Sequence, residues 1–188
     1  MSERGLPRVT LRQVAERAGV GPALVSYYFG GKRGLLQAVT EEVAGEMLER
    51  VERSLAMQGS VEERLRGVIA SWVDAVANDP YAPRLIVEQV LFGDEATIDA
   101  FVERFGRPNA EALIRLLAAG RARGEIRPVE PMFLLPAMIG MCVFYFLSAP
   151  IHQRLFGIER ITPELARRFA DHTASLLVHG LATGGGAR

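Results

Sequence analysis

Apolar residues recur along most of the chain at intervals of three and four, the spacing of one helix face, and no stretch shows the strict alternation of a half-buried strand. Leu11, Val14, Ala15 and Ala18 mark a first short helix. Thr10 with Gln13 three residues later fits a capping box at its start, and Gly19 suits its end. A second short helix is predicted from near Pro22 to about Tyr28, with proline in the first turn, where its missing N–H costs nothing. Gly30-Gly31 breaks the chain again. From Lys32 to Ala56 the row Leu35, Val39, Val43, Met47, Val51 and Leu55 runs unbroken at i+4, so one long amphipathic helix is predicted.

After the short loop Gln58-Gly59-Ser60, the pattern resumes over Ser60–Asn78 with Val61, Leu65, Val68, Ile69, Trp72, Val73 and Val76, and Asp79-Pro80 stops it. Further helices are predicted over Pro83–Phe92, Glu95–Phe105 and Asn109–Arg123, with Gly106-Arg107-Pro108 separating the last two. A turn over residues 124–128 leads to an apolar helix, Glu130–Ser148, ended by Pro150. A loop then reaches Thr162, and a final helix runs from Pro163 to about Leu181. Residues 182–188, ATGGGAR, read as a disordered tail. The fold class is all-α.

Charge divides the chain more sharply than composition does. The 188 residues carry 22 basic and 22 acidic side chains, which excludes a uniformly basic coat. Residues 1–40, however, hold Arg4, Arg8, Arg12, Arg17, Lys32 and Arg33 against Glu3 and Glu16. A basic head on an acidic body points to a polyanion-binding end. The single cysteine, Cys142, excludes a disulfide within one chain and implies a reducing, cytoplasmic setting. Residues 132–151 are uncharged and long enough to span a bilayer. Pro136 and Gly140 interrupt them and their flanks show little asymmetry, so a buried helix is the preferred reading and a membrane anchor the rival.

Two short helices joined by a glycine turn inside a basic segment have the layout of a helix-turn-helix. Residues 9–39, VTLRQVAERAGVGPALVSYYFGGKRGLLQAV, resemble the DNA-binding motif of the TetR family of bacterial transcriptional regulators. The matching elements are Thr10, Val14-Ala15, Ala18-Gly19-Val20, Tyr28-Phe29, Lys32 and Leu35-Leu36. The resemblance implies a homodimeric regulator, most simply a repressor, that binds a palindromic double-stranded DNA operator and is released by a small apolar or amphipathic effector. It divides the chain into a head, 1–40, and a helical ligand-binding and dimerisation body, 41–181. In the family a full helix precedes the Thr-capped one, whereas nine residues precede Thr10 here. Ser2-Glu3-Arg4-Gly5 reads as the last turn and C-cap of that helix. About 10–20 in-frame amphipathic codons are expected upstream to complete it; without them the head would be loosened, and a helical module with impaired DNA binding is the second rival.

Within the head, Ala15, Val20, Val25 and Phe29 are expected to form the inner side. Pro22, Ala23, Ser26 and Tyr27 are placed toward base edges, where a serine hydroxyl can bond a base and an alanine can touch a thymine methyl. Thr10, Tyr28 and Lys32 are placed toward phosphates, which position the protein without reading sequence. Arg12 and Gly21 are further DNA candidates. Taken singly, each tyrosine reads as a packing aromatic and each arginine as a solvated charge; the ensemble in register reads as a DNA-binding surface.

In the body, Trp72, Phe92, Phe105, Met138, Cys142 and Tyr145 are the candidate effector-binding residues, with an ordinary packed core as the plainer reading. Met138, Cys142 and Tyr145 share one helix face. Phe133, Ala137, Gly140 and Phe144 lie on another and, with Phe169 and Leu176 of the last helix, form the candidate dimer interface. His172 and His179 share a face without a ligand set for a metal, and no nucleophile or glycine-rich phosphate loop has its required context. No enzyme activity, cofactor or metal is expected.

Overall fold

The computed structural model describes residues 10–79 and 81–182. The turn read at Ser2–Gly5 and residues 183–188 of the tail lie outside them. Ten α-helices occur among the described residues: α1 (Leu11–Ala18), α2 (Pro22–Phe29), α3 (Lys32–Ala56), α4 (Val61–Asn78), α5 (Ala82–Ile86), α6 (Glu95–Phe101), α7 (Arg107–Ala122), α8 (Pro131–Leu147), α9 (Ala149–Phe156) and α10 (Pro163–Leu181). Two π-helical turns, Val87–Leu91 and Val102–Gly106, flank α6.

The core is built around α4. Its Val61, Leu65, Val68, Ile69, Trp72, Val73 and Val76 are all buried, and it packs against α3, α8 and α10. Burying each of these large apolar side chains contributes about 1.5–3 kcal/mol. The helix begins on a capping box: Ser60 Oγ accepts the Glu63 N–H at 3.2 Å, and Glu63 Oε2 accepts the Ser60 N–H at 2.8 Å. The Ser60 hydroxyl also donates to Glu63 Oε2 at 3.0 Å, and with the Ser60 N–H it holds the Glu63 carboxyl below its usual range. Close approach of α7 to α4 depends on Gly120, where a Cβ would stand 2.2 Å from Val61 Cγ2.

Several expected boundaries move. Gly106-Arg107-Pro108 is not a break, because the π turn Val102–Gly106 inserts its extra residue just ahead of Pro108 and α7 continues directly. Helix α8 closes at Ser148 as expected, but the stretch after it is not a loop: Pro150 occupies the first turn of α9, bent 66° from α8. The buried seam of α3 runs through Thr40, Ala44, Val51, Ser54 and Leu55 rather than the whole i+4 row. Small residues on that seam bring α3 close enough to α4 for Ser54 Oγ to lie 3.1 Å from Ser71 Oγ. Ala182, expected in the tail, pairs with Ile126 in an isolated antiparallel bridge.

Within one chain α8 is not buried on all sides. Leu134, Met138 and Cys142 face the core, while Met132, Phe133, Ile139 and Phe144 are exposed. No single described helix is long and apolar enough to cross a membrane, and only the bent pair α8–α9 approaches that length. Burial pushes the Cys142 thiol up to about 12. With so little thiolate, Cys142 should resist alkylation by iodoacetamide in the native protein and react once the protein is unfolded. Mass spectrometry of native and denatured samples checks this; rapid native labelling would contradict the burial.

Candidate DNA-binding site

The head is held by short-range devices that the sequence encodes locally. Thr10 Oγ1 accepts the Gln13 N–H at 3.2 Å, and Gln13 Oε1 accepts the Thr10 N–H at 2.9 Å, completing the capping box of α1. Gly19 closes α1 at φ +69°, a left-handed conformation in which glycine carries no Cβ penalty. Val20 then donates its N–H to the Ala15 carbonyl at 2.9 Å, tightening the turn into α2.

Ala15 and Val25 are the buried residues of the unit from 10 to 39. Val20 and Phe29, expected inside, keep 38% and 40% of their surface exposed. Two eight-residue helices present each other only one narrow contact face, which Ala15 and Val25 fill.

All nine predicted DNA-contacting residues, Thr10, Arg12, Gly21, Pro22, Ala23, Ser26, Tyr27, Tyr28 and Lys32, are exposed. Tyr27 is 82% exposed and its ring meets the Tyr28 ring edge-on at 5.5 Å. Packing within the chain therefore does not account for these two aromatics. Arg12, Arg17 and Lys32 form no ion pair among the described residues, so their charge is available to an anion. Gly30 and Gly31, at φ +67° and +103°, turn the chain directly from α2 into α3. At Gly34, in the first turn of α3, a Cβ would stand 1.7 Å from the Phe29 carbonyl oxygen. The two-helix unit and the long helix thus meet at a joint that only a bare Cα fits.

Immediately beyond that joint lies a cavity of about 530 Å³. One wall is α3, with Arg33, Gln37 and Glu41; the other carries Phe92, Phe101 and Phe105 from α6 and the segments flanking it. Two ion pairs join its walls: Arg33 to Asp94, the N-cap of α6, and Arg104 to Glu41 at 2.5 Å. Arg104 also lies over the Phe105 ring, 5.1 Å from its centre. Asp94 accepts hydrogen bonds from the Thr97 hydroxyl and N–H and from Arg33, which together hold its carboxyl below the usual range.

Of the six expected effector residues, Phe92 and Phe105 line this cavity. Trp72, Met138 and Cys142 do not; they are closed into the core cluster around α4. Tyr145 stacks on Phe169 at 3.9 Å and on His152 at 5.1 Å. That stack leaves Phe169 half-buried inside its own chain. Phe133, Ala137, Gly140, Phe144 and Leu176 are exposed as a dimer face requires. The pairings of Arg33 with Asp94 and of Arg104 with Glu41 had no signal in the sequence, since the partners stand 61 and 63 residues apart. Among the described residues no group of His, Cys, Asp and Glu could hold a metal ion.

Residues 1–39 match the family described as bacterial regulatory proteins, tetR family, and residues 58–186 match the tetracyclin repressor-like C-terminal domain. The HTH-type transcriptional regulator BetI of Burkholderia ambifaria is 28% identical over 153 residues, covering 74% of this chain and 77% of that protein. The nucleoid occlusion factor SlmA of Haemophilus influenzae is 23% identical over 147 residues, covering 78% and 67%. In three dimensions the chain resembles the ketosteroid transcriptional regulator KstR2 of Mycobacterium tuberculosis, with a TM-score of 0.73 at 15% identity over 97% of this chain and 89% of that one.

Proposed function

Since the chain belongs to the TetR family of bacterial regulatory proteins, ligand-responsive regulators that bind DNA, we propose that it is a cytoplasmic repressor. It binds a palindromic operator as a homodimer and leaves it when an amphipathic small molecule enters the body. The observation that carries this reading is the position of the cavity. Its wall is the stretch of α3 that begins at the joint with the recognition helix, so anything that occupies it bears on the orientation of the head. The lining combines a charged mouth with three phenylalanine rings, which suits an amphipathic occupant. Ligand binding favours one setting of α3 and DNA binding another, and each must weaken the other by the same factor.

In this reading α2 enters the major groove with Ala23, Ser26 and Tyr27 toward the bases, while Thr10, Tyr28 and Lys32 hold phosphates. Gel-shift and anisotropy titrations with the DNA flanking its own gene test it. Lys32→Ala should weaken binding to every sequence and lower the salt slope by about 0.9, the share of one phosphate contact. Tyr27→Ala should instead relax the preference for operator over unrelated duplex, by roughly 1–3 kcal/mol if the ring meets a base. The opposite pattern would reverse the two roles, and no binding at all would leave the impaired-head alternative standing.

A further inference from the structure

We propose that Arg33 is a further DNA-phosphate contact, and that Asp94 holds it back in the free protein. The inference rests on the reading of α2 as the recognition helix and adds a residue and a self-inhibitory contact to it.

Arg33 follows Lys32 in the first turn of α3, directly after the Gly30-Gly31 joint. That turn has no acidic residue and no side-chain cap, so two cations stand at the positive end of a helix dipole. Such an end favours a nearby anion. In the free protein Asp94 supplies it, reaching across the cavity mouth from the start of α6. When DNA is present, a backbone phosphate beside Lys32 is an alternative anion for the same guanidinium.

The geometry makes the exchange easy. The Arg33 side chain is 78% exposed and that of Asp94 48%, and an exposed ion pair of this kind is weak and opens readily. The two oxygens of Asp94 divide their work. Oδ1 accepts the Thr97 N–H at 3.0 Å and its hydroxyl at 2.7 Å, while Oδ2 accepts Arg33. Helix α6 therefore keeps its cap when Arg33 leaves. Because Asp94 and Thr97 both line the cavity, the carboxylate that restrains Arg33 belongs to the wall an effector would touch.

The test compares the unmodified protein with Asp94→Asn, Arg33→Gln and the double variant, with Glu95→Gln as a control for general charge. Asparagine caps a helix as well as aspartate, so α6 is preserved, and circular dichroism checks it. The probe is a duplex of arbitrary sequence, titrated by anisotropy across a range of salt, because phosphate contacts carry no sequence information. Asp94→Asn should tighten binding about two- to fivefold, the factor expected for freeing one exposed ion pair. Arg33→Gln should weaken binding and lower the salt slope by about 0.9. In the Arg33→Gln background, Asp94→Asn should have no effect. Three results overturn the inference while the unmodified protein still binds: an unchanged slope in Arg33→Gln, equal tightening by Asp94→Asn in both backgrounds, or equal tightening by Glu95→Gln. If the unmodified protein binds no duplex at low salt, the DNA-binding reading itself fails and takes the inference with it.

Discussion

Gly34→Ala is expected to cut DNA affinity by about tenfold or more while the body unfolds at nearly its usual temperature. Gly34 lies in ordinary helix, so its role is space and not backbone freedom. An added Cβ would overlap the Phe29 carbonyl oxygen at 1.7 Å and its carbon at 2.9 Å. These are backbone atoms, so relief requires the end of α2 or the start of α3 to shift. Overpacking of this kind costs roughly 1–3 kcal/mol. Here the cost falls on the angle at which the recognition helix leaves α3, and a small rotation there is magnified at the tips of Ser26 and Tyr27. The core around α4 lies elsewhere and should not register the change. Anisotropy with the operator and a thermal melt by circular dichroism separate the two effects. Equal DNA affinity in the variant would show that the joint does not set the pose of α2.

Gly140→Arg is expected to turn a dimer into a monomer at micromolar concentration and to lower operator affinity by about a hundredfold, since the two half-sites would no longer be bound by linked heads. Within one chain the position is harmless, because a Cβ at Gly140 meets nothing within 4 Å. Arginine also favours a helix interior over glycine by roughly 0.5–1 kcal/mol. The isolated subunit should therefore be no less stable, and loss of assembly is not confused with loss of folding. The expectation comes from the face around it: Phe133, Ala137 and Phe144 are exposed at helical spacing, and Phe144 keeps 66% of its surface open. On α10, Leu176 is exposed and Gly180 likewise faces open space. A cation placed where two such helices approach closely would be desolvated without a partner. Sedimentation reads the outcome, and a variant that stays dimeric would move the interface elsewhere.

Features that depend on neighbours in sequence were legible before any coordinates. The capping box at Thr10 and the glycine ends at 19 and 30 each satisfy a backbone group within four residues. Proline misled at Pro108, where a helix continues, and Pro150 concealed the start of α9, because its missing N–H suits a first helical turn as well as a stop. Trp72, Met138 and Cys142 show another limit. Apolar character is common to a core and a ligand pocket, and only the packing of α4 against α8 and α10 decides between them. The cavity walls come from α3 and the α6 region, distant in sequence, so its ion pairs had no local signature. The exposed surface of α2 was legible as a set because its residues lie within eight consecutive positions.

The position of α10 also sets a timetable for synthesis. Its Ala166, Ala170, Ala174 and Leu181 complete the cluster around α4, and the Arg127 N–H reaches the Leu181 carbonyl at 2.9 Å. About a hundred residues separate the end of α4 from the end of α10. At roughly 5–20 residues per second, a ribosome takes about 5–20 s to cover that distance. For that interval the nascent chain carries α4 with one apolar flank uncovered, within reach of holding chaperones. Chains released early, before α10 is made, keep that flank open permanently and become substrates for proteolysis.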